Sequence, residues 1–225
     1  MILREHRDIE QKFGCIKESK IKNIDTSNIQ IHPDFVDLYQ CYKAVFRCLE
    51  DSASMAQSFS TIDLWQKSAS TFYLMYGFSD HLHIKGKQHA NLKIKIRSLP
   101  QQHSDIEALL DFSSRALFKL LRTQRYKIDR INPIQLQELL NQNVSQTVLL
   151  EVNHEYSSKP HSTIGMNTLA KLMGFTRNHF TQRTLMIQAK RKNILDELAR
   201  KSSIVQKLLD HPDYDLKPND IWSIK

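Results

Sequence analysis

The stretch from Thr163 to Lys192, TIGMNTLAKLMGFTRNHFTQRTLMIQAKRK, constrains the fold more than any other part of the chain. Leu169 and Ala170 share one helical face and Met173 closes it. Gly174-Phe175-Thr176 then interrupts the helical spacing, and Phe180 returns an apolar side chain to the same side. A glycine that can take the positive φ of a helix-ending turn, followed by a threonine suited to cap the next helix, predicts two helices joined by a tight turn. Ala170 is small enough for the two helices to approach closely, and Phe175 is placed to fill the angle between them. Such a helix-turn-helix can lay its second helix in a DNA major groove.

The residues of that second helix fit the expectation. Arg177, Asn178, Thr181 and Gln182 are predicted to face outward near its start, beside the cap Thr176 and ahead of Arg183. These types read base edges: Arg pairs with guanine, Asn or Gln with adenine, and Thr with either. Lys171 on the first helix, and Lys190, Arg191 and Lys192 beyond the readers, are placed to meet phosphates. The charge of the chain agrees. Nine Lys/Arg stand against two acids between Lys171 and Lys207, a net +7 out of a total of +8. The expected partner is double-stranded DNA, although a solvated basic helix face would show the same charge.

LAKLMGFTRNHFTQR resembles the first helix-turn-helix of AraC-type transcription regulators, whose pattern runs Ala, three residues, Gly, an aromatic, Ser or Thr, then a His/Tyr-Phe pair. Within that family the similarity is to the subgroup that activates type III secretion genes, and it covers about 65 residues at most. It implies a sequence-specific transcription regulator whose reader is followed by a long linker helix, for which Asn193 to Leu209 is suited. The family continues into a second motif, whereas here only HPDYDLKPNDIWSIK follows, and Arg183 stands where that pattern has an apolar residue. One reader grips one groove, so a homodimer or a protein partner is expected.

The remainder is predicted to be mainly helical with a small antiparallel sheet in its N-terminal half. Three parts are expected: a polar segment over residues 1–30, an α+β domain over 31–156 that regulates or oligomerises, and a helix-turn-helix bundle over 160–225, with Ser157 to Ser162 as the boundary. Phe35, Leu38, Tyr39, Tyr42, Val45, Phe46 and Leu49 recur at spacings of three and four, which predicts a core helix after Pro33. A Ser-rich break follows from Asp51 to Ser60. Strands are predicted over 71–76, 81–85 and 92–97, with Lys93, Lys95 and Arg97 as an outward basic stripe. Ser104 with Glu107 suggests a capping box for the next helix, and Asn132-Pro133 starts another. Residues 144–156 fit a helix or a strand.

Alternation along 81–85 would put His81 and His83 on one strand face, near Asp80 and His89. No fourth ligand accompanies them, so no metal site is expected. Cys15, Cys41 and Cys48 have no CxxC spacing; Cys41 and Cys48 fit buried thiols of a reducing cytoplasm. The chain carries no GxSxG, HExxH, P-loop or Rossmann pattern, and neither catalysis nor a cofactor is expected. The charged N-terminus and the lack of a long apolar run point to a cytoplasmic protein with no membrane partner. The alternative to a regulator is a non-enzymatic protein-interaction component, such as an adaptor of a secretion or conjugation apparatus, with a basic helical docking surface.

Overall fold

A computed structural model of the chain describes residues 9, 11–20, 26–50, 61–84, 93–156, 161–200 and 203–211. Most of these are helical, and a five-stranded sheet lies in the N-terminal half. Compactness separates Met1–Phe180 from Thr181–Lys225. Residues 157–160, where the sequence suggests a boundary, lie outside the described residues, as does the Ser-rich break at 51–60.

The strands are β1 (Cys15–Lys20), β2 (Ile29–Ile31), β3 (Thr61–Gln66), β4 (Phe72–Leu74) and β5 (Lys93–Ser98), in the spatial order β1-β5-β3-β4-β2. β1 runs antiparallel to β5 and β3 antiparallel to β4, but β3 is parallel to β5 and β2 parallel to β4. The sheet is therefore mixed, which corrects the antiparallel expectation. Helices α1 (Val36–Arg47) and α2 (Phe78–Ile84) interrupt the succession of strands, and such crossovers allow parallel pairing. Part of residues 1–30 also joins the sheet, because the polar strand β1 is held by backbone bonds to β5.

Both faces of β3 are covered: Ile62, Asp63, Leu64 and Trp65 are all buried, so this strand shows no alternation to reveal it. On one face the register aligns Ile62 with Ile94 and Leu64 with Ile96. On the other lie Asp63, Trp65 and Arg97. Arg97 is 1% exposed, donates from Nε to Asp63 at 2.7 Å, and bonds the Phe13 carbonyl through Nη1. The outward basic stripe expected from Lys93, Lys95 and Arg97 is thus broken at Arg97, which an acid on the neighbouring strand draws inside.

Residues 78–84 form helix α2, not the strand that alternation over 81–85 predicts. Gly77 at φ 75° turns the chain into it, and Phe78 is wholly buried against the rings of Tyr42 (5.2 Å), Tyr39 (5.5 Å) and Phe35 (6.2 Å). This tertiary burial outweighs a five-residue alternation. The apolar stripe of α1 is core, as its spacing predicts, with Leu38, Tyr39, Cys41, Tyr42 and Val45 buried.

Asp80, in the first turn of α2, has its carboxyl pushed from 3.8 up to about 7 by burial, with the nearby Asp63 charge acting in the same direction and a hydrogen bond from Ser79 opposing both. A carboxyl whose folded pKa is raised contributes its stability below the unfolded pKa and loses it as pH rises through the folded value. Asp80→Asn is therefore expected to raise the Tm most at and above pH 7, and least near pH 4. Thermal unfolding followed by circular dichroism from pH 4 to 8 measures this; a difference independent of pH would contradict it.

Helix α3 (His103–Thr123) runs unbroken for 21 residues. Its N-cap is Gln102 with no side-chain bond, so Ser104 is already inside the helix and the capping box over Ser104–Glu107 does not form. Helix α4 (Pro133–Asn143) is capped as expected, the Asn132 side chain accepting the Gln135 N–H at 3.4 Å. Residues 144–156 resolve as helix α5 (Gln146–Tyr156), with Val148, Leu149 and Val152 buried. Among the described residues, no helix is long and apolar enough to cross a membrane.

Candidate nucleic-acid interface

The segment singled out by its spacing folds as helix α6 (Met166–Leu172), a tight turn, and helix α7 (Arg177–Ala199). The turn is a Schellman motif. Gly174 takes φ 76°, its N–H bonds the Lys171 carbonyl at 3.1 Å, and the Phe175 N–H bonds the Ala170 carbonyl at 2.8 Å. A side chain at position 174 would have space around it but a strained backbone beneath it. The start of α7 is closed by a reciprocal cap. The His179 N–H donates to Thr176 Oγ1 at 3.3 Å, and the Thr176 N–H donates to His179 Nδ1 at 3.3 Å. Histidine here takes the place of the usual Glu or Gln.

Inside the angle, Leu169, Ala170, Leu172, Met173 and Phe180 are buried, with the Phe175 ring 5.8 Å from that of Phe180. Helix α6 packs on α3 and α4. Its entry is fixed by three amide side chains that the sequence did not single out. Asn141 accepts the Ile164 N–H at 2.7 Å and donates to the Ile164 carbonyl at 3.1 Å, where Gln137 donates as well at 2.8 Å. Asn153 donates to the carbonyls of His161 and Thr163 at 2.7 and 2.8 Å. Asparagine on the apolar sides of α4 and α5, next to Leu140 and Val152, was the available signal.

Thr176, Arg177 and Asn178 are exposed at the start of α7, and Thr181 and Gln182 are exposed one turn later. Lys171 is exposed on α6, and Lys190, Arg191 and Lys192 are exposed on α7, about 12 Å beyond Gln182 along the axis. Arg183 is placed differently, half-buried at helical spacing from Phe180 and Ile187, so it leaves the outward set. α7 carries the readers and the basic run on one continuous helix. The linker helix expected over Asn193–Leu209 is instead shared between the end of α7 and a separate helix α8 (Ser203–Asp210).

Of the imidazoles considered as metal ligands, that of His81 alone is among the described side chains. His81 lies on α2 within 3.0 Å of the Tyr39 hydroxyl, while the His83 side chain and His89 lie outside the described residues. No cluster of three His, Cys, Asp or Glu suited to a metal occurs among the described residues. Cys41 and Cys48 are buried thiols, with burial pushing that of Cys41 up to about 12; Cys15 is exposed. No protein-family model matches the chain, and neither a curated protein nor a solved structure matches it.

Proposed function

We propose that the protein is a sequence-specific DNA-binding transcription regulator, with α6 and α7 as an AraC-like helix-turn-helix. The observation that carries this reading is the exposure of Arg177, Asn178, Thr181 and Gln182 along the first two turns of a helix that buried Phe180 anchors. Four base-reading side chains precede an exposed basic run on the same helix, a placement suited to bases first and phosphates beyond. A homodimer or a protein partner belongs to this reading, because readers paired on successive half-sites raise specificity.

Selection of bound duplexes followed by a salt titration tests this. If Lys171, Lys190, Arg191 and Lys192 each meet a phosphate, affinity per reader falls about 100-fold between roughly 50 and 200 mM salt. Arg177→Ala and Gln182→Ala are each expected to relax preference at one base position by about 1–3 kcal/mol while leaving the salt slope nearly unchanged. Absence of duplex affinity even at low salt would end the proposal.

A second reading, the protein-interaction adaptor, is favoured by a different observation. Met186, Leu195 and Leu209 are exposed at 55, 56 and 69%. Under this reading Thr181–Lys225 docks a protein, the salt-dependent duplex binding is missing, and Leu195→Asp abolishes the protein contact.

A further inference from the structure

Leu185 is a large apolar side chain exposed at 59% in the middle of a polar helix face. On α7 it follows Thr181 by four residues and Gln182 by three, and precedes Gln188 by three and Lys192 by seven, so all of these share one side. The opposite side holds half-buried Ile187 and Ile194. Leu185 is therefore no part of the inner packing. Apart from small Ala189, its neighbours on that face are polar or charged. Exposed Met186 stands beside it, about 100° further round the helix.

The major groove offers an apolar group at one base only, the C5-methyl of thymine. We infer that Leu185 contacts that methyl and makes the protein select thymine at one position of its site. The inference rests on the DNA-binding reading and sharpens it. Asn178, Thr181, Gln182 and Leu185 are spaced i, i+3, i+4, i+7, the stripe by which a helix lying in the major groove meets successive bases. Leu185 lies about 4.5 Å along the axis from Gln182, against about 3.4 Å between base pairs, so it meets the pair next to the one that Gln182 reads. Exposed Lys192, two turns on along the same face, is of the sign that phosphates attract.

The test uses the full chain and a duplex taken from selection. Wild-type protein is expected to select thymine at one position next to that relaxed by Gln182→Ala. Replacing that thymine with deoxyuridine, which removes only the methyl, is expected to weaken wild-type binding about four-fold, as for one buried methyl group. Leu185→Ala is expected to bind the two duplexes equally and to keep its preferences elsewhere; its exposed position leaves the fold intact, which circular dichroism checks. Equal wild-type affinity for thymine and deoxyuridine, or methyl discrimination retained by Leu185→Ala, would overturn the inference while leaving the DNA reading standing. A protein with no duplex affinity at low salt would remove both.

Discussion

Phe180→Ala is expected to destabilise the α6–turn–α7 segment by about 3–5 kcal/mol and to abolish duplex binding to every sequence alike. Phe180 is wholly buried, and it is the one fully buried side chain of α7 among the described residues. Its ring lies 5.8 Å from that of Phe175 and in the same core as Leu169, Ala170 and Met173. Deleting it removes the apolar transfer term and leaves a cavity that a Schellman turn on one side and a reciprocal cap on the other cannot readily collapse into. Phe180→Leu keeps most of the volume and is expected to cost under about 1.5 kcal/mol with binding retained. Urea unfolding and the salt titration separate the two variants. A loss below about 1 kcal/mol for Phe180→Ala would mean that α7 is held by something other than this core.

Arg177→Ala gives the contrast, because that side chain is exposed rather than part of the core. Loss of preference at one base without loss of stability marks a reader, whereas loss of stability with loss of all binding marks the scaffold beneath it.

Where the sequence spoke through local chemistry, the fold followed it. Gly174 and Thr176 carry the turn and the cap as residue types alone indicate, and the α1 stripe is core because helical spacing records which side is buried. The signal failed where tertiary burial decides. β3 is buried on both faces and so has no period; the 81–85 alternation is overruled by Phe78, which the aromatic cluster holds as the start of α2. Arg97 reads as surface until its partner, Asp63, is brought alongside from 34 residues away. The candidate interface divides in the same way. Outward residues at a capped helix start were legible, whereas Arg183 was not, because its half-burial depends on packing that spacing alone does not reveal.

That Asp63–Arg97 pair gives the second large effect. Both side chains are about 1% exposed, with Arg97 Nε 2.7 Å from Asp63 Oδ1, and they join adjacent parallel strands in the middle of the sheet. Taking two charges out of water costs several kcal/mol, which their mutual attraction and the Phe13 carbonyl offset only while both are present. Arg97 Nη2 already has no hydrogen-bond partner among the described residues, so nothing there is available to replace Asp63. Asp63→Ala is therefore expected to destabilise the protein by about 3–5 kcal/mol, by stranding a buried guanidinium. The double variant Asp63→Leu with Arg97→Met removes both charges at similar volume and is expected to be much closer to wild type. The ordering, single variant far below double, is what a buried pair demands, and chemical unfolding of the three proteins reads it directly. If Asp63→Ala and the double variant unfold at the same denaturant midpoint, desolvation is not the dominant cost, and the pair contributes no more than a solvated surface bridge would.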